Sequence, residues 1–231
     1  MNIRVGLAVW RVAQVIATFA ISMPALATND SQVWVNSTTT VKLADKWRLS
    51  EDLTLRFSDK RNGLYEIESN TLLGYVVAKG ITVWGGYTHD PQYAAGHFTV
   101  MEQRAREQVT FDNLAQLGIG KFNGRIRLEQ RWRNGVHGTG WRLRPFLKYT
   151  LPFQKGKKPA LVASVEPFLN LNNTPFQKTD GFDRVRAFVG ISIPVVKNAA
   201  LEAGYLNQHT FVPHAPDNND HVASLSLIAN F

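Results

Sequence analysis

Between Asn123 and Arg133 the residue type changes at every step. Arg125, Arg127, Glu129, Arg131 and Arg133 fall on one phase, and Ile126, Leu128, Gln130 and Trp132 on the other. A helix would spread these residues around its circumference, whereas a strand sends successive side chains to opposite faces, so only a strand sorts them this way. The same sorting recurs along the chain. Trp47, Leu49, Leu53, Leu55 and Phe57 oppose Arg48, Asp52, Thr54 and Arg56; Tyr65, Ile67, Leu73, Tyr75 and Val77 oppose Glu66, Glu68 and Asn70. Trp141, Leu143, Leu147 and Tyr149 oppose Arg142, Arg144, Phe146 and Lys148; Val185, Ala187, Val189 and Ile191 oppose Arg184 and Arg186; Leu201, Ala203 and Tyr205 oppose Glu202 and Gln208. The expected class is all-β.

Eleven such segments are countable, at roughly 31–43, 46–58, 64–78, 81–90, 98–112, 122–134, 140–151, 160–171, 182–193, 200–209 and 221–231. Short turn signals (Ala44-Asp45, Lys79-Gly80, Lys197-Asn198) alternate with longer polar stretches at 58–63, 89–97, 134–140, 171–181 and 210–220, rich in Gly, Pro, Asn and Asp. Most segments have the roughly 9 to 11 residues of a membrane-spanning strand. Trp47, Tyr65, Trp132 and Trp141 lie near segment ends, as interfacial girdle residues do, and the last residue is Phe231. The expected architecture is therefore an antiparallel transmembrane β-barrel of about 10 to 12 strands, with short periplasmic turns and longer outer loops. A water-soluble barrel or sandwich would also alternate, with its apolar face turned inward.

The N-terminus bears on location. Arg4 and Arg11 precede the mostly apolar run Val12–Met23, and Ala25-Leu26-Ala27 supplies the small residues of a signal-peptidase site. Residues 1–27 are expected to be a cleaved secretory signal, cut after Ala27, followed by one barrel domain over 28–231. The chain has 26 Lys+Arg against 18 Asp+Glu, a net charge of +8 that falls to +6 without the two signal arginines. In an exported protein that surplus meets lipid, lipopolysaccharide or solutes, and no nucleic-acid partner is expected. The expected location is the cell outer membrane. With no Cys there is no disulfide framework, thiolate metal site or Cys nucleophile.

Two features resist a simple barrel. Eleven is odd, whereas single-chain bacterial barrels have an even strand number with both termini on one side; either the first segment is two short strands, making twelve, or it stays out of the wall, leaving ten. Glu51 and Glu107 fall on the apolar phase, which predicts a bulge or register shift beside each.

Thirteen basic residues occupy inward phases: Arg48, Arg56, Arg104, Arg106, Arg125, Arg127, Arg131, Arg133, Arg142, Arg144, Lys148, Arg184 and Arg186. Seven acids face them: Asp52, Glu66, Glu68, Glu102, Glu129, Glu166 and Glu202. Arg-x-Arg recurs at 104/106, 125/127, 131/133, 142/144 and 184/186, which stacks two guanidiniums on one face about 7 Å apart. The residues expected to line the lumen are Arg104, Arg106, Arg125, Arg127, Glu129, Arg131, Arg133, Arg142, Arg144, Glu166, Arg184, Arg186 and Glu202. Two readings follow. The charges are a packed ion-pair core, with arginine forks on carboxylates, or they line a narrow, porin-like, anion-preferring channel for small anionic solutes.

An outer-membrane lipid hydrolase is a third possibility, needing Ser, His and a carboxylate together. The candidates are His221 with Ser224, or His209 with Thr210, plus Glu202 or Asp220. Residues three apart in a strand face opposite sides, so His221 and Ser224 do not meet within one segment. No metal-ligand spacing appears and Gly118/Gly120 precede no helix, so no cofactor, metal or catalytic residue is expected. A fourth reading is a passive barrel whose outer loops bind a partner through 89–97, 171–181 and 210–220.

One set of residues also carries a resemblance. Glu102-Gln-Arg104-Ala-Arg106-Glu-Gln108, Arg125-Ile-Arg127-Leu-Glu129-Gln-Arg131-Trp, Arg142-Leu-Arg144, Glu166-Pro-Phe168, Arg184-Val-Arg186 with Gly190, and Glu202-Ala-Gly-Tyr205 resemble the Gram-negative barrel family known as domain-of-unknown-function family 2490. Gln32-Val-Trp34 and Lys46-Trp47 resemble its opening. The resemblance covers nearly all of the chain beyond residue 28. It implies an outer-membrane β-barrel among outer-membrane lipid, and no particular activity.

Overall fold

Period-two alternation becomes a wall when each strand finds backbone partners on both edges. The computed structural model describes residues 28–155 and 159–231; the expected signal segment and its cleavage position lie outside the described residues. Eleven strands are formed: β1 Thr28–Lys42, β2 Trp47–Ser58, β3 Gly63–Ala78, β4 Ile81–Ala94, β5 His97–Leu117, β6 Gly120–Arg133, β7 Val136–Pro152, β8 Ala160–Asn170, β9 Gly181–Val196, β10 Ala199–Thr210 and β11 Asn218–Asn230. They make one closed barrel in which each strand pairs with its sequence neighbours and β1 pairs with β11. Closure leaves no edge with unpaired backbone groups.

The parity problem is resolved in a way neither expectation anticipated. The first segment is neither split nor left out: β1 is a single strand, and it pairs with β11 in parallel, Gln32 beside Val222 and Thr40 beside Asn230. Every other pairing is antiparallel. One parallel seam is what an odd number of up-and-down strands requires, and it puts Thr28 and Phe231 at opposite rims. The rim of Thr28 carries the connections 59–62, 95–96, 134–135, 171–180 and 211–217; it is called the loop rim below. The rim of Phe231 carries 43–46, 79–80, 118–119 and 197–198, together with the link after Pro152.

Two expected loops shrink to tight turns because the strands run further than the polar residues suggested. Segment 89–97 is mostly strand, closed by Ala95-Gly96, both with positive φ (48° and 78°). A two-residue hairpin turn of this kind matches the right-handed twist of its strands, and Gly96 adopts it without strain. Segment 134–140 likewise reduces to Asn134-Gly135.

The barrel is apolar outside and polar inside. Exposed large apolar side chains cover the outer wall, among them Leu53, Leu73, Ile126, Leu161, Val189, Ile191 and Leu225. Buried side chains are mostly Arg, Glu, Asp, Asn and Gln, with Trp34, Leu72, Val162, Phe168 and Val222 among them. Trp47 packs edge-on against Tyr75 at 5.0 Å on the turn side, while Trp132 and Trp141 project outward near the loop rim. Tyr65 departs from its expected outward place: the β2–β3 ladder shifts register at Arg56/Phe57, the bulge turns Tyr65 inward, and its hydroxyl donates to Gln32 Oε1 at 2.8 Å.

Candidate functional site

The inward phase of β2 to β10 builds clusters of arginines and carboxylates, densest in the half of the lumen nearest the loop rim. A strand offers an inward side chain every second residue, so Arg-x-Arg and Arg-x-Glu on adjacent strands interleave into layers. Glu102 of β5 is fully buried and accepts from three arginines: Arg104 Nε at 2.7 Å, Arg131 Nε and Nη2 at 2.9 and 3.0 Å, and Arg133 Nε at 2.7 Å. Glu129 of β6 is also fully buried, accepting from Arg142 Nε and Nη2 at 2.8 and 2.6 Å and from Arg144 Nη1 at 2.7 Å. Arg144 reaches onward to Glu166 of β8, Nη2 to Oε2 at 3.0 Å, and Arg125 pairs with the same carboxylate. Glu68 receives Arg56 and Arg104, each at 3.1 Å, and Arg56 also pairs with Glu66. Lys148 meets both oxygens of Glu202, at 3.1 and 2.7 Å. Charge-assisted contacts of this density lock side chains into one arrangement.

Aromatic faces support the arginines. Phe168, almost fully buried, lies under Arg144 at 4.2 Å, Arg186 at 4.7 Å, Arg142 at 5.2 Å and Arg184 at 5.6 Å. Trp34 lies between Arg56 at 4.5 Å and Arg186 at 4.6 Å, with Nε1 donating to Gln32. A guanidinium over an aromatic face is attracted by the ring quadrupole, and more strongly when both are desolvated. Trp34 and Phe168 share the inward phase of the charged residues, which is the signal that places them, although neither is among the residues expected to line the lumen.

The carboxylate count also changes. Asp30, Asp90, Asp183 and Asp220 stand outside the seven expected inward acids, yet all four join the network. Asp90 is fully buried and pairs with Arg104; Asp30 accepts from Ser58 and Gln32; Asp183 holds Arg184 Nε at 2.6 Å; Asp220 accepts from Gln208 at 2.6 Å. Asp90 lies where the strand segment 81–90 overlaps the polar stretch 89–97, and Asp220 falls in the polar stretch 210–220, because polar, Pro-containing flanks disguise strand ends. The interior is thus much nearer to neutral than the surplus of six suggested.

The thirteen residues expected in the lumen all lie on the inner wall. Arg104, Arg106, Arg127, Glu129, Arg131, Arg142, Arg144, Glu166 and Glu202 are buried, and Arg125, Arg133, Arg184 and Arg186 are half-buried. Not all have a carboxylate in hydrogen-bond reach. Arg127 donates to Gln108 with Glu129 at 3.7 Å, Arg106 pairs with Asn70, and Arg186 donates to Gln208 at 2.7 Å. Glu66, Glu68 and Asp90 bring oxygens within 4.8 Å of one another, a spacing a cation could bridge, but Arg56 and Arg104 already occupy it.

At the loop rim the segment 171–180 folds over the opening. Gln177 is buried there, accepting from Arg131 Nη1 at 3.0 Å and donating to the Trp141 and Asn172 carbonyls at 3.0 and 2.8 Å. The Phe176 ring covers Arg131 and Arg133. Toward the other rim the inner wall turns to small polar residues, including Asn36, Thr54, Ser164, Ser192, Ser224 and Ser226, all partly exposed. The charged residues therefore concentrate under the loop rim, with mostly small side chains on the inner wall below.

The candidate hydrolase residues are dispersed. His221 exchanges a hydrogen bond with the Tyr205 hydroxyl at 2.7 Å and lies 3.2 Å from Asn219, while Ser224 faces inward near Asn36. His209 contacts Asp217 at 2.9 Å, with no Ser or Thr hydroxyl hydrogen-bonded to it among the described residues.

The family described as "Protein of unknown function (DUF2490)" matches residues 31–219, from the fourth residue of β1 to the start of β11. The chain belongs to this family. It is also 29% identical over 208 residues to an uncharacterized protein of Methylorubrum extorquens, covering 87% of this chain and 88% of that one. No solved structure matches. The stretch shared with the family includes every arginine and glutamate of the network.

Proposed function

We propose that this family member is an integral outer-membrane β-barrel whose arginine–carboxylate network closes the lumen, so that the protein works as a sealed wall element and not as an open porin. The observation that carries this reading is the inverted polarity of the barrel. A predominantly apolar outer wall over a charged interior is stable only where the outside solvent is hydrocarbon, and a closed barrel satisfies every backbone group there. The outward tryptophans near both rims and the Arg4-to-Ala27 export pattern support the same location. Full burial of Glu102, Glu129 and Asp90 favours the packed core over the anion-preferring channel. The scatter of His209, His221 and Ser224 favours a non-enzymatic role over the lipid hydrolase.

The reading is tested by refolding the mature protein into vesicles, checking flotation with the lipid, and recording planar-bilayer conductance under a salt gradient. The expected result is membrane-resident protein without porin-sized steps. Discrete steps with anion preference would replace the sealed core by the channel, with Arg127 and Arg131 as the first selectivity positions to reverse; recovery only in the soluble fraction would remove the membrane location altogether.

A further inference from the structure

Glu51 and Glu107 are not explained by any local irregularity. The predicted bulges are absent: Glu51 pairs with Thr71 and Glu107 with Gly85 and Leu128 inside uninterrupted ladders, and both carboxylates point outward from the wall. Each is held sideways, Glu51 by the hydroxyls of Ser69 at 3.0 Å and Thr71 at 2.6 Å, Glu107 by the Gln130 amide at 3.1 and 3.0 Å. Around them the outer face of β3 to β5 carries donors whose side chains bond to nothing else among the described residues: Tyr87, His89 and Gln103. Apolar rows flank this patch on both sides, Phe57, Ile67 and Met101 toward the loop rim and Leu49, Leu73, Val109 and Ile126 toward the turn rim. On the opposite wall the outward positions of β8 and β9 are apolar, such as Leu161, Val165, Val189 and Ile191. Ionisable groups at membrane depth are costly against lipid and are normally covered by protein.

The same patch contains a hole and a knob. At Gly85 the wall loses its side chain, and an open depression of about 520 Å³ forms between Trp47, Leu73 and Tyr75 on one side and Ile126 and Leu128 on the other, with Glu107 in its wall. Two residues along β4, Tyr87 stands out at 46% exposure. Inserted copies share the bilayer normal, so a two-fold axis relating them runs along it and each knob must find its hole at nearly its own depth. Tyr87 and Gly85 are about 7 Å apart along a strand tilted by about 40°, or about 5 Å in depth, a gap within the reach of a tyrosine side chain.

We propose that the β2–β6 face is a homodimer interface in the membrane, in which Tyr87 of each copy enters the Gly85 depression of the other. A self-complementary face must carry both halves of each contact. This one does: hole beside knob, and carboxylates Glu51 and Glu107 beside the unused donors Tyr87, His89 and Gln103. The Tyr87 hydroxyl is placed to donate to the partner's Glu107 carboxylate in the groove wall. The small residues Gly85 and Ala105 let two walls approach closely, as small residues do at membrane interfaces. The inference rests on the membrane location proposed above.

The chain has no cysteine, so one introduced thiol reports proximity without background. Ala105→Cys, at the centre of the patch, and Val189→Cys, on the opposite wall, are refolded separately into vesicles, floated and treated with a mild oxidant. The expected result is a covalent dimer from Ala105→Cys and monomer from Val189→Cys. Adding Gly85→Leu or Tyr87→Ala to the first variant should remove the dimer band. A Cβ added at Gly85 meets nothing within 4 Å in the isolated barrel, so Gly85→Leu is expected to grow into the depression and leave the fold intact. Floated protein that stays monomeric, or that cross-links equally from both walls, overturns the interface and leaves the membrane reading standing. Protein that does not float overturns the membrane reading and the interface with it.

Discussion

Glu102 shows at the residue scale why a charged interior can be a structural core. One carboxylate without solvent access takes four N–H donors from Arg104, Arg131 and Arg133, and Arg104 and Arg131 meet other acceptors in turn. Removing one partner of such a group leaves the rest uncompensated, and that penalty exceeds the loss of the contact itself. Glu102→Gln is therefore expected to destabilise the folded barrel by about 3 to 5 kcal/mol, read from the urea unfolding midpoint in vesicles. By contrast, Lys42→Gln breaks only the exposed pair with Asp45 at 3.3 Å and should shift stability by about 0.5 kcal/mol or less. Equal effects would mean that the network is hydrated, and not a packed core.

At the scale of the strand, the β1–β11 seam is the one parallel joint among the described strands. β2 runs opposite to β1, so β2 and β11 could close a ten-strand antiparallel barrel without β1, and the seam is what distinguishes the two closures. What holds β1 in place is its inward face: Gln32 receives Trp34 and Tyr65, and Trp34 stacks against Arg56 and Arg186 from strands on either side. Val35 and Leu225 are lateral neighbours across the seam, both facing out. The double variant Val35→Cys with Leu225→Cys should form an intramolecular disulfide on oxidation, visible as a faster-migrating monomer. No shift would mean that β11 closes on β2.

For the whole molecule, the sealed lumen proposed above would owe its barrier to the network and not to the loop over it. The 171–180 segment contributes Gln177 and Phe176, but the layers around Glu102, Glu129 and Glu166 cross the lumen below and are built only from strand residues. Replacing 172–179 by a short turn should leave conductance as low as in the parent protein, measured in the same planar bilayer. Conducting steps in that variant would move the barrier to the loop.

Alternation alone determined a great deal. Arg125 to Arg133 and its repeats place eleven strands and all thirteen expected lumen residues on the inner wall, because period two is a property of the chain that any strand pairing preserves. Strand direction at closure is different: whether β11 meets β1 or β2 depends on which wall curvature packs Trp34 and Phe168 among the arginines, and no local signal in β1 encodes that. Asp90 and Asp220 entered the core only because their strands extend past polar flanks to find partners. Tyr65 turned inward through a bulge set by the β2–β3 pairing, not by its own neighbours in the chain. Glu51 and Glu107 were visible as misfits in the sequence, but only the intact register shows that they face outward beside Gly85 and Tyr87. Which side a residue takes is local and legible; which residue it meets is a matter of register and closure, set by the cooperative packing of distant strands.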